Sequence, residues 1–126
     1  MKRVLFVGED PHAVDFTDPS LPPGLNAEKI QAGIDLAAVK ITEHGWIADV
    51  CMIPPNAAGI ATLEKQLGSE TYDCVVIGGG MRLPPKGLVL FEQVVNAIHR
   101  EAPHAAIAFN TRPEDTAEAA ARWLNN

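Results

Sequence analysis

The run Val75-Val76-Ile77 opens directly into Gly78-Gly79-Gly80, then Met81-Arg82 and Pro84-Pro85. A short β-branched apolar run without polar alternation predicts a strand covered on both faces, as in a parallel sheet. Three glycines at its end predict a tight turn where backbone can approach a ligand closely. A strand over Tyr72–Gly78, near the middle of a sheet, is the element around which the rest must be arranged.

The remaining segments alternate between strand and helix patterns. Arg3 to Gly8 reads as a first strand, followed by a loop, 9–25, rich in Pro and Asp. Ile30, Ile34, Ala37, Ala38 and Ile41 fall on one helical face, with Asn26 as N-cap and His44-Gly45 at the stop. Trp46 to Ile53 is a second strand closed by Pro54-Pro55, and a helix from about Ala57 to Leu67 buries Ile60, Leu63 and Leu67. After the glycines come a third helix from about Lys86 to Arg100, a fourth strand from Ala105 to Phe109 and a fourth helix from Arg112 to Leu124. Thr111 and Glu114 stand in capping-box spacing around Pro113.

Four strands alternating with four helices, joined by right-handed crossovers, predict a three-layer α/β/α sandwich. The expected sheet is four-stranded and parallel, of order 2-1-3-4: the flavodoxin-like arrangement with its fifth strand missing. The 126 residues suffice for one domain. With 47% apolar and 21% charged residues the chain has the composition of a soluble globular protein. A net charge of −6 with scattered Lys and Arg argues against nucleic acid as a partner. The apolar run Val4–Val7 is cut short by Glu9-Asp10, too short for an export signal, and no run is long enough to cross a bilayer, so no membrane partner is expected. Cytoplasm is the expected compartment, with Cys51 and Cys74 as buried reduced thiols.

In an open parallel sheet a ligand binds beyond the carboxyl ends of the strands, where strand order reverses. Order 2-1-3-4 puts that point between strands 1 and 3. The residues expected there are Gly8, Glu9 and Asp10 after strand 1, and Gly78, Gly79, Gly80, Met81 and Arg82 after strand 3; Asn110, Thr111 and Arg112 after strand 4 flank them. Glycine N–H groups with Arg82 or Arg112 suit a phosphate or carboxylate. The glycines equally suit a crowded corner, and Thr111 a cap, with both arginines solvated. No P-loop or dinucleotide fingerprint follows the first strand.

His12 and Asp10 are the candidates for acid–base work, in a cluster with Glu9, Asp15 and Asp18 that suits a hard cation or a solvated loop. The two isolated cysteines have no zinc-ligand spacing, so no metal site is expected. Ser20 and Ser69 stand in no nucleophile-elbow pattern. No cofactor follows from these residues.

The chain resembles response-regulator receiver domains in Glu9-Asp10 and Thr111, but Gly78 or Gly79 stands where their phosphoacceptor Asp belongs. It differs from flavodoxins in having Glu9-Asp10-Pro11 where they hold a flavin phosphate. Asp10-Pro11-His12 and Gly79-Gly80 are similar to a cobalamin-binding pattern, with Asp15 in place of its glycine. The segments 23–30, 79–85 and 109–117 resemble a little-characterised set of short bacterial and fungal proteins, a likeness that implies the fold and no particular activity.

Two functional readings follow. The first is a small anionic ligand held in the cleft between strands 1 and 3. The second is a self-associating or protein-interaction domain, a homodimer formed through the third helix or the sheet edge. Leu88-Val89-Leu90-Phe91 with Val94, Val95 and Ile98 is a wider apolar face than one helical stripe needs.

Overall fold

A computed structural model describes residues 1–82 and 87–124. Pro84, Pro85 and the expected helix start at Lys86 lie outside the described residues. Four parallel strands, β1 (Arg3–Glu9), β2 (Ile47–Ile53), β3 (Cys74–Ile77) and β4 (Ala106–Phe109), form one sheet of order β2-β1-β3-β4. The expected fold class is therefore the observed one. β1 pairs with β2 from Arg3 opposite Ile47 to Glu9 opposite Ile53, and with β3 from Val4 opposite Cys74 to Val7 opposite Ile77. β3 pairs with β4 from Cys74 opposite Ala106 to Ile77 opposite Phe109.

Alternation along β1 divides the core between the two faces. Leu5 and Val7 join Ile53, Leu63, Leu67, Val75, Ile77, Met81, Val94 and Ile98 beneath α2 (Ala57–Ser69) and α4 (Leu88–Glu101), with the four-residue α3 (Gly79–Arg82) contributing Met81. Val4 joins Ile41, Trp46, Val76, Ala117, Ala119 and Ala120, and Phe6 joins Ile34 and Ala37, beneath α1 (Ala27–Glu43) and α5 (Thr116–Ala121). All four residues of β3 are buried, as its uninterrupted apolar run requires. Each large side chain buried this way contributes on the order of 1.5–3 kcal/mol.

Local chemistry sets the helix starts. Asn26 Oδ1 accepts from Lys29 N–H at 2.9 Å, and Asn56 Oδ1 accepts from Gly59 N–H at 3.0 Å, so α1 and α2 each have a side-chain N-cap. Gly45 takes φ 84° just beyond α1, the left-handed conformation that glycine adopts without strain. At Gly59 a β-carbon would collide with the Pro54 carbonyl, which lets α2 start hard against the end of β2.

A polar network closes the amino end of the sheet. Arg3 Nη1 meets Asp49 Oδ2 at 2.8 Å, and Arg3 N–H donates to Asp73 Oδ2 at 2.8 Å. Tyr72 OH donates to the same Asp49 oxygen and accepts from Gln66. These bonds tie β1, β2, α2 and the approach to β3 together.

Candidate functional site

The exits of β1 and β3 are cross-linked at the point where strand order reverses. Gly78 N–H donates to Val7 O at 2.7 Å, and a β-carbon on Gly78 would lie 3.6 Å from Gly8 Cα and 3.2 Å from Val7 O. On Gly8, a β-carbon would lie 2.9 Å from Met52 Sδ. Both glycines are buried, and their role at this corner is close packing of strand ends.

The glycine run does not stay open. It continues into α3, with Met81 N–H returning to Gly78 O at 3.0 Å and the Met81 side chain in the core, 1% exposed. Burial of Met81 winds the turn inward. Gly79 N–H is taken by Asn110 Oδ1 at 2.8 Å, so Gly78 and Gly79 both spend their donors inside the protein. Gly80 is exposed, and a β-carbon there would meet nothing within 4 Å.

Arg82 folds back across the end of β4. Its Nη2 donates to Asn110 O at 3.0 Å, and its guanidinium carbon lies 5.8 Å from the centre of the Phe109 ring. The Arg82 Nε is buried and has no hydrogen-bond partner among the described residues. A guanidinium fixed through Nη2 holds its remaining Nη donors in one orientation for an acceptor arriving from solvent, which cannot reach the enclosed Nε.

Asn110 does not line the surface: it is 2% exposed. Its Nδ2 donates to Thr116 Oγ1 at 2.9 Å, and the Thr116 hydroxyl donates to Pro113 O at 2.7 Å. Thr111 and Arg112 are exposed. The expected capping by Thr111 with Glu114 is replaced by a different arrangement around a 3-10 turn over Pro113–Asp115, which precedes α5. Asp115 accepts from the Thr111 N–H at 3.0 Å, from the Thr111 hydroxyl, and from Arg112 N–H at 3.4 Å. Partial burial alone would raise the Asp115 pKa, but these Thr111 and Arg112 hydrogen bonds prevail and lower it. Arg112 lies 4.0 Å from Glu114, largely solvated.

On the other wall, Glu9 is half-buried at the end of β1, and burial, then the neighbouring Asp10, pushes its carboxyl above the usual range. Asp10 N–H donates to Ile53 O at 2.8 Å, and Asp10 Oδ1 accepts from His12 N–H at 2.9 Å, capping a 3-10 turn over Pro11–Ala13. His12 is exposed beyond it. In the rest of the loop Asp15 accepts from Thr17 and Asp18 from Ser20, each through backbone and hydroxyl. Among the described residues no group of three or more His, Cys, Asp or Glu is placed to hold a metal ion.

Cys51 and Cys74 are free and buried, and burial pushes both thiols up, Cys74 to about 12. Both are poor nucleophiles. Two described depressions lie away from the carboxyl ends of the strands: one of about 350 Å³ between α1 and α5, lined by Lys40, Glu43, His44, Ala117 and Glu118, the other of about 180 Å³ beside Tyr72 and His104, at the amino ends of β3 and β4. No helix among the described residues is long and apolar enough to cross a membrane.

The structure thus packs Gly8 against Gly78 where β1 and β3 end, places Asp10 on the β2 side by its bond to Ile53 and Arg82 on the β4 side by its bond to Asn110, and buries Asn110 behind the turn rather than on it. Phe109, Asp115 and Thr116 belong to the same assembly and escape a reading by residue type. The signal for two of them was the spacing of Asn110, Asp115 and Thr116, which looks like helix-start chemistry. No protein-family model matches the chain, and no curated protein registers as its relative.

Proposed function

We propose that the corner between β1 and β3 binds a small ligand carrying a single anionic group, a carboxylate or phosphate monoester. The observation that supports this reading most is Arg82, half-buried at the turn and held in one orientation to Asn110 O through Nη2. Two of the three glycine N–H groups are already committed, so the corner lacks the donors a polyphosphate needs. Glu9 and Asp10, at the end of β1 on the β2 side, would meet the far end of such a ligand and suit a donor there and not a second anion. Glu9, with its raised pKa, is a stronger candidate than His12 for a proton-exchanging group, and Asp10 is occupied as a cap. The buried free thiols support a reducing compartment, the cytoplasm.

The test is a titration of the full chain with acetate, inorganic phosphate and a nucleoside triphosphate, followed at the Arg82 Nε–H resonance by NMR. A saturable shift with acetate or phosphate and none with the triphosphate is expected. An Arg82 resonance that responds no more than those of Arg100 and Arg112 rules the ligand out.

A second reading, self-association, has its own support. Leu88 and Val89 at the start of α4 are 64% and 65% exposed, and Phe91 of the same helix packs on Phe109 at the sheet edge, itself 37% exposed. This apolar strip follows the β4 edge where a fifth strand would otherwise lie. Sedimentation at tens of micromolar decides it: a dimer that Leu88→Lys dissociates supports the reading, and a monomer throughout ends it.

A further inference from the structure

We infer that Asn110 is a positioning residue of this site, one that presets Arg82 and the Gly79–Arg82 turn from beneath. The inference rests on the ligand reading above. Asn110 touches the turn twice by different atoms: its side-chain Oδ1 accepts from Gly79 N–H at 2.8 Å, and its carbonyl accepts from Arg82 Nη2 at 3.0 Å. The first residue and the last residue of α3 are therefore both fixed to one buried residue outside it. Gly79 N–H can only donate, which assigns the acceptor oxygen of the amide to that side and its NH₂ to Thr116.

The amide is itself held. Nδ2 donates to Thr116 Oγ1, whose hydroxyl donates to Pro113 O, so the start of α5 fixes Asn110 and Asn110 fixes the turn. Both Asn110 and Thr116 are buried, at 2% and 0% exposure, where an unpaired donor or acceptor is costly. Asn110 N–H also continues the ladder to Ile77 O at 3.4 Å. A side chain that served only to end β4 would not need the contact to Gly79.

The test compares Asn110→Ala and Thr116→Val with wild type, reading two quantities in each folded variant: the hydrogen-exchange rate of the Gly79 N–H, which the Asn110 side chain holds, and the affinity for acetate. In Asn110→Ala we expect faster exchange and weaker acetate binding, each by about tenfold, the size of one buried hydrogen bond. Thr116→Val, which removes only the outer link, should move both in the same direction by less. If Asn110→Ala does not fold, Thr116→Val alone decides. Unchanged exchange and affinity in the folded variants overturn the inference. If wild type binds no acetate or phosphate the ligand reading fails by itself, and Gly79 exchange alone then decides for Asn110: faster sustains its hold on the turn, unchanged rejects it.

Discussion

Tyr72 donates its phenol to Asp49 Oδ2 at 2.8 Å while accepting from Gln66 Nε2 at 2.6 Å, and it is the sole tyrosine of the chain. Burial first, and the bond to Asp49 next, push its pKa up to about 12, against the opposing pull of Gln66. Its unfolded value is about 10. A folded pKa raised above the unfolded one means that this stabilisation is fully present below about pH 10 and is lost as pH rises toward 12. Tyrosinate absorbance should therefore appear only near pH 12 or together with alkaline unfolding. A midpoint near 10 in the folded protein would contradict the hydrogen-bonded placement.

Two glycines should respond oppositely to the same substitution. Gly59→Ala drives a β-carbon into the Pro54 carbonyl and to 3.2 Å from Ile53 Cβ, and main chain there cannot step aside cheaply. A loss of about 1–3 kcal/mol is expected in denaturant unfolding. Gly80→Ala meets open space within a helical turn, so a gain of about 0.5–1 kcal/mol is expected. Equal effects of the two changes would mean that α2 does not abut β2 as described.

Glu9 reports on the electrostatics of the corner. Its folded pKa is raised, so any stabilisation it gives is complete below the unfolded carboxylate range and lost as pH rises through the folded value. At neutral pH the ionised group is a net cost, reduced by its partial contact with solvent. Glu9→Gln should raise neutral-pH stability by about 0.5 kcal/mol and leave stability at pH 3 nearly unchanged. Melting curves at the two pH values check this, and a variant less stable than wild type at neutral pH would show that the carboxylate makes a favourable contact.

How far the sequence could be read depended on whether a residue's neighbours in space were also its neighbours in sequence. The strand over Tyr72–Gly78 was visible because β3 is buried on both faces, although the paired strand is shorter, Cys74–Ile77. Asn26 was visible as a cap because its partner, Lys29 N–H, lies three residues on. The glycine run is legible as a tight turn, but its winding into a helix is not, because burial of Met81 and the bond from Gly79 to Asn110, 31 residues away, set it. Likewise Thr111 looked like the cap of a helix reaching back to Arg112; Asp115 takes that role over a 3-10 turn, and α5 runs only from Thr116 to Ala121. Arg82 was singled out for its charge, yet what makes it a candidate receptor is its attachment to Asn110 O, which no local pattern encodes.

The outer end of β4 has a bearing on solubility. Arg122 Nη2 donates to Phe109 O at 2.8 Å, so a guanidinium occupies the last carbonyl of the edge strand, where another strand would begin to pair. Guanidinium stays charged at any pH the fold survives, unlike the lysine or carboxylate guards of many open edges. Protection of this tip against strand addition, and hence against aggregation nucleated there, should persist through acid or alkaline stress until α5, which Arg122 ends, comes away.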